Sequence, residues 1–491
     1  MKKEQYAVNP HMPADKSAIA SAVPMREFFS VNRKMRFIAI LAMAVSLVDV
    51  LHSAEPVIDQ SQVRLVQGGK RRLTVEYVLT GGDGVVTLDI QTNATAGAES
   101  GWVSVGPEKV ATATGDVFKR VSAGAGTKRI DWYPRNVLPH DIVLPSGSVR
   151  AVVKAYPVYS PPDYMVINLD DGSIAYYENV AQLPNGIESD YCRDNALVLR
   201  KVHAAGRGFL MGTSPHEVGV PADAYFSYEK TQYVSFTQDY YLGVFEVTCG
   251  QFRRVMGKNQ VESQFTLATE YRTRPVENVT YVSYGNDTGL MEANAWPNSD
   301  FDEARKTHAN SFFGRLRTLT NLGSALCLPT SAQWEYACRA GSRSSLHLGC
   351  NLKVTSEGED VALSRFARYK YNGGYVKGEG DTYSAPDPAT ATVANGTARV
   401  GSYEPNAWGF YDMLGNVREI CYNHYYNYVT GADLVDPTGT VPSSNVTQYR
   451  IVRGGGWSSE PSECRAGAIE QYQIWTSPKN IGFRVLLQLQ H

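Results

Sequence analysis

The feature that most constrains this chain is a period-two alternation that begins at residue 72. Leu73, Val75, Tyr77 and Leu79 alternate with Arg72, Thr74, Glu76 and Val78, and Val86, Leu88 and Ile90 resume after Gly81-Gly82-Asp83-Gly84. Successive strand side chains point to opposite faces, so the pattern specifies strands with one buried face. The Gly/Asp cluster between the two runs predicts an antiparallel hairpin. Lys128-Arg-Ile130-Asp-Trp132 and Val149-Arg-Ala151-Val-Val153 continue the style. With almost no helical periodicity between them, residues 55–156 read as a small all-β sandwich. They hold no Cys and no His/Asp/Glu cluster, which predicts a spacer or adhesion-type module.

Ahead of this block, Arg33-Lys34-Met35-Arg36 precedes an apolar run from Phe37 to Val48. A basic segment followed by about a dozen apolar residues reads as a secretory signal, too short to span a membrane comfortably. Residues 1–54 are therefore expected to be an N-terminal extension and signal peptide, cleaved near Ser53 or Ala54. Met1, Met25 and Met35 all remain candidate starts. The protein is expected to be secreted or periplasmic, with no membrane span once the signal is removed. Lys plus Arg number 47 against 49 Asp plus Glu, so no dominant basic face for nucleic acid is expected.

Residues 157–205 read as a linker. Pro161-Pro162-Asp163 fixes an extended turn, because each Pro locks φ and restricts its predecessor. Tyr164-Met-Val-Ile167 and Ala196-Leu-Val-Leu199 are short apolar runs that could pack as strands on either neighbour.

Residues 206–491 carry a series of ordered motifs. They run from Phe209-Leu-Met211-Gly212 and Val244-Phe-Glu246-Val247-Thr248 through Leu328-Pro329-Thr330 and Trp334-Glu335-Tyr336 to Asp412-Met413-Leu-Gly415-Asn416-Val417-Arg-Glu419. Arg453-Gly454-Gly455-Gly456-Trp457 and Gly482-Phe483-Arg484-Val485 close the series. Thr248-x-x-Gln251 and Thr330-x-x-Gln333 each fit a capping box that opens a helix. The second box predicts a core-facing stripe of Trp334, Ala337 and Cys338. Trp334, Tyr336, Trp457 and Phe483 are expected in the core, with Arg339, Arg453 and Arg484 organising loops through their five-donor forks.

Over about residues 206–488 this pattern resembles the formylglycine-generating enzyme family, also called the sulfatase-modifying factor domain. The resemblance implies an α+β, C-type-lectin-like fold with long loops, preceded here by the all-β sandwich. It also implies a calcium-binding loop at Asp412, Gly415, Val417 and Glu419, where two carboxylates and two carbonyls would suit a hard cation. Asp412 and Glu419 accepting loop N–H groups instead is the competing structural reading.

Members that oxidise cysteine to formylglycine carry two thiols after the Arg-Gly-Gly segment, and such a soft pair suits Cu(I). Here Cys464 is the single candidate catalytic thiol, with Ser459 in the other thiol's place. Cu(I) is accordingly not expected. Export permits a structural disulfide, and spacing alone does not choose between Cys338–Cys464 and Cys421–Cys464. The expectation is a non-catalytic binding or scaffold module for a protein or carbohydrate ligand, using aromatic loops at Tyr422–Tyr428 and Gln471–Trp475. The alternative is an oxidoreductase that converts a cysteine of sulfatases or similar targets to formylglycine.

Overall fold

The two alternating runs form strands, Arg72–Leu79 and Gly84–Thr92, but they do not pair with each other. Arg72–Leu79 pairs with Arg64–Gly68 and Gly124–Trp132, all antiparallel. Gly84–Thr92 pairs with Val149–Pro157, Lys119–Val121 and Val103–Ser104 in a second sheet. The expected hairpin is thus corrected: the Gly81–Gly84 turn carries the chain from one sheet to the other. Val75, Tyr77, Ile130 and Trp132 then meet Val86, Leu88, Ile90 and Val153 across one apolar cluster. Alternation specifies a buried face and leaves open whether it is covered by stacking or shared edge to edge.

This computed structural model describes residues 54–139, 145–214, 217, 229–257, 265, 270–281, 309–353, 357–387, 392, 394–424, 433–438, 449–474, 476 and 478–489. The expected signal at 33–54 lies almost wholly outside them. Among the described residues no helix is long and apolar enough to cross a membrane.

The connector segment supplies strands to the central sheet. Its order is Ile174–Tyr177, Tyr164–Asn168, Ala196–Val202, Tyr240–Gly243, Leu486–Gln488 and Leu326–Cys327, each neighbour antiparallel. Both faces are covered, which explains the uninterrupted apolar runs. Met165, Ile167, Leu197 and Leu199 face one cluster, while Tyr164, Val166, Ala196 and Val198 face the cluster of the N-terminal sheets. Fully burying a Leu or Ile side chain contributes about 1.5–3 kcal/mol, so the apolar residues on its two faces hold this sheet in place.

The helices are short and begin where the capping boxes predict. Thr248 caps Cys249–Met256 and Thr330 caps Ser331–Arg339, each reciprocated by a Gln side chain on the cap N–H. Trp334, Ala337 and Cys338 are fully buried, so the predicted stripe faces the core. Beside this helix lies a mixed sheet of Glu470–Gln473, Tyr449–Arg453, Arg418–His424 and Ile481–Gly482, the last pair parallel.

Candidate functional site

Strand Tyr449–Arg453 delivers the triple glycine to the start of the Asn416–Glu419 segment. Trp457 N–H donates to Asn416 O at 2.7 Å, which joins the two segments. Ser459 N–H donates to Gly456 O at 2.9 Å, and Gly456 N–H returns a bond to Ser459 Oγ at 3.1 Å. Ser459 is therefore a turn-closing residue, buried at 1 % exposure. Gly455 has φ +68°, and a Cβ there would lie 2.5 Å from Cys464 Sγ. The glycine is required because the thiol is packed against the bare backbone.

Cys464 is fully buried and belongs to the same apolar cluster as Cys338 and Cys421. Burial pushes all three thiols up from their ordinary value. A thiol in that state is a poor nucleophile, since the thiolate is the reactive form. None of the seven cysteines forms a disulfide. The expected disulfide among Cys338, Cys421 and Cys464 is thus corrected: the three sulfurs act as small apolar core groups.

The Asp412–Glu419 segment is held by a buried ionic core. Glu419 accepts Trp334 Nε1 at 2.8 Å and Arg484 Nη2 at 2.7 Å, using both carboxylate oxygens. Arg484 also donates to the carbonyls of Gly243, Val244 and Tyr411. Glu246, which the sequence reading assigned no role, accepts Asn416 Nδ2 at 2.7 Å and Val417 N–H at 3.0 Å. Burial pushes its carboxyl well above the usual carboxylate range, with Asp412 and Glu419 adding repulsion. Asp412 accepts Gly401 N–H at 2.6 Å, and burial pushes its carboxyl up to about 6.

These contacts test the fit of calcium. Glu419 has no oxygen to spare without displacing Arg484, which is itself fully buried. Asp412 Oδ1 is buried without a hydrogen bond, but one such oxygen falls far short of six to eight ligands. Among the described residues no group of three or more His, Cys, Asp or Glu side chains is placed to hold a metal. As arranged, the Glu419 carboxylate is taken by Arg484 and Trp334, and Arg484 is the cation beside Asp412 and Glu419.

A second buried ionic group surrounds Glu335, also missed in the sequence. It accepts Gly212 N–H at 2.8 Å, Arg339 Nε at 2.7 Å and Arg453 Nη2 at 2.8 Å. Arg339 reaches Glu217 at 3.1 Å, and Arg465 pairs with Glu229. The expected organising role of Arg339, Arg453 and Arg484 is what the structure shows. The available signal was an acidic residue inside an apolar run, at Phe245-Glu246-Val247 and Trp334-Glu335-Tyr336.

The aromatic contact surface is corrected in part. Tyr422 and Tyr472 are both 3 % exposed, and Tyr472 Oη donates to Thr476 O at 2.7 Å within the fold. They are core residues. Asn423 and Ile474 are buried as well, whereas Gln471 is exposed, and positions 425–428 and 475 lie outside the described residues.

A site built on arginine-organised loops, with a Gly-Gly turn closing on positions 459 and 464, defines a class of protein rather than one activity. The chain belongs to the family of the sulfatase-modifying factor enzyme 1-like domain, whose model matches residues 201–489, more than half its length. A Paenibacillus barcinonensis protein named chaperone protein LppX is 31% identical over 228 residues, 45% of this chain and 70% of that one. The formylglycine-generating enzymes of Streptomyces coelicolor and Bos taurus are 30% and 28% identical, each over 32% of this chain. The matched region spans 45% and 37% of those two enzymes, respectively. Among solved structures, Treponema denticola variable protein 1 is 21% identical, with 60% of this chain and 95% of that one covered and a TM-score of 0.38.

Proposed function

We propose that this is an exported binding or scaffold member of the family that does not generate formylglycine. The observation that carries the reading is the pair at 459 and 464: a serine whose Oγ closes a turn, and a thiol sealed in the core behind Gly455. Cu(I) chemistry needs soft thiolate ligands, and a hydroxyl is a hard, weakly acidic replacement. The similarity to a protein named a chaperone supports a binding role. Export, secreted or periplasmic, rests on the basic-apolar pattern at 33–54. We read the facing sheets of residues 64–157 as a sandwich that spaces the lectin-like C-terminal region.

The competing reading is an oxidoreductase acting on a protein cysteine, favoured by the relatives named formylglycine-generating enzymes. Incubating the exported chain with Cu(I), O₂ and a Cys-x-Pro-x-Arg peptide separates the two by mass spectrometry. The binding reading expects the peptide unchanged. Aldehyde product that disappears in Cys464→Ser would establish the oxidoreductase instead.

A further inference from the structure

Strand Val149–Pro157 pairs with Gly84–Thr92 along its whole length, and among the described residues no strand pairs with its other edge. An edge of nine residues with backbone N–H and C=O groups left open is a template for another strand. The middle of this edge is taken by a side chain. Gln60 Oε1 accepts Val153 N–H at 3.2 Å, and Gln60 Nε2 donates to Val153 O. A primary amide that bonds both backbone groups of one residue imitates the peptide of a neighbouring strand. The turn that carries it is exposed from Asp59 to Gln62.

In an antiparallel strand the N–H and C=O of alternate residues point the same way, so Val149, Ala151 and Ala155 share the edge with Val153. Ala151 and Ala155 are partly exposed, and among the described residues nothing bonds their backbone on that side. Side-chain chemistry decides which strand fits. Three antiparallel pairings of this strand with a second copy of itself align edge-facing residues near its centre. Val153 against Ala151 sets Arg150 opposite Lys154, and Val153 against Ala155 sets Lys154 opposite Lys154. Like charges directly opposite are destabilising. The latter also sets Ala151 opposite Pro157, which has no N–H to give.

Val153 against Val153 avoids both clashes. It pairs Ala151 with Ala155, two small residues, and sets Arg150 opposite Tyr156. Tyr156 Oη donates to Glu178 at 2.6 Å, so the guanidinium approaches the acidic side of the other copy. Arg150 donates Nε to Gln91 Oε1 at 2.8 Å and makes no ion pair of its own among the described residues. This register is a two-fold axis through the edge, and such an interface closes at two copies. We infer that the outer edge of Val149–Pro157 is an interface with a second copy of this chain, antiparallel about Val153. Gln60 is the placeholder that must leave Val153 before the copies join. The interface goes beyond the binding reading and shares no residue with the 453–464 segment, so neither its success nor its failure bears on the copper argument.

The test is sedimentation velocity of the full chain across a concentration series, native and as Gln60→Ala. The expected result is a dimer held at least about tenfold more tightly in Gln60→Ala, because its two hydrogen bonds no longer compete for Val153. Two further changes are then made in the Gln60→Ala chain. Ala151→Pro removes an edge N–H without touching a bond to Gly84–Thr92, and Arg150→Glu turns the attraction toward Glu178 into repulsion. Each is expected to weaken the dimer about tenfold. Circular dichroism and melting verify that both variants fold, and the exposed Arg150 makes the second the safer of the two. Association of Gln60→Ala no tighter than that of the native chain would overturn the assignment. So would a dimer indifferent to either folded variant, or growth beyond two copies.

Discussion

Removing the Glu335 carboxylate is expected to be among the most damaging single changes in the chain. Glu335 is fully buried and neutralises Arg339 and Arg453 while accepting the Gly212 N–H. In Glu335→Ala, Arg339 keeps Glu217 at 3.1 Å, so part of its compensation survives. Arg453 keeps only neutral partners, namely Ser331 Oγ and the carbonyls of Ala466 and Ala468. Stranding one buried guanidinium costs about 3–5 kcal/mol, and orphaning a buried N–H costs about 1–3 kcal/mol more. Those two costs overlap, so a loss of about 3–5 kcal/mol is expected. Urea unfolding of the full chain, followed by tryptophan fluorescence, measures it. Glu404→Ala, which breaks the exposed Arg365–Glu404 pair, is the control and is expected to leave the midpoint unmoved. A Glu335→Ala loss below about 1 kcal/mol, the scale of a surface pair, would refute the claim that this network organises the domain.

Gly455→Ala forces a Cβ against Cys464 Sγ at positive φ, and a loss of about 1–3 kcal/mol in the same urea assay is expected. His203 is raised to about 9 by its hydrogen bond to Asp163 and by the Asp239 carboxylate 3.7 Å away, so its folded value exceeds its unfolded one. Its stabilisation is therefore complete below the unfolded value and lost as pH rises toward 9. His203→Gln should flatten the decline in melting temperature over that window, and an unchanged slope would contradict the assignment. Because the Glu419 carboxylate is taken by Arg484 and Trp334, adding Ca²⁺ or EDTA should leave the melting temperature unchanged. A calcium-dependent rise would show that the ion binds the folded chain.

Local rules were legible in the sequence wherever one segment settles its own structure. Both capping boxes need only four residues, and the Trp334–Cys338 stripe needs one helical turn. Strand positions in 72–90 follow from alternation, but their partners do not. The same pattern serves two strands in one sheet or two strands facing each other across a core. The connector was harder because strands buried on both faces lose their alternation, as in Tyr164–Asn168 and Ala196–Val202. Tyr422 and Tyr472 read as recognition residues because tyrosine suits both a surface and a core. Only tertiary contacts distinguish the two. Glu246 and Glu335 escaped because their partners, Asn416 and Arg453, lie more than a hundred residues away in the chain. At the candidate site the substitution at 459 was readable, whereas the burial of Cys464 behind Gly455 was not.

The central claim is that positions 459 and 464 do not form a copper clamp, and Cu(I) binding tests it most directly. The native chain is titrated anaerobically with Cu(I) against a chromophoric competing chelator, alongside Cys464→Ser. The account predicts that the two proteins withdraw the same amount of copper from the chelator. One equivalent of tightly held Cu(I) in the native chain, absent in Cys464→Ser, would contradict it.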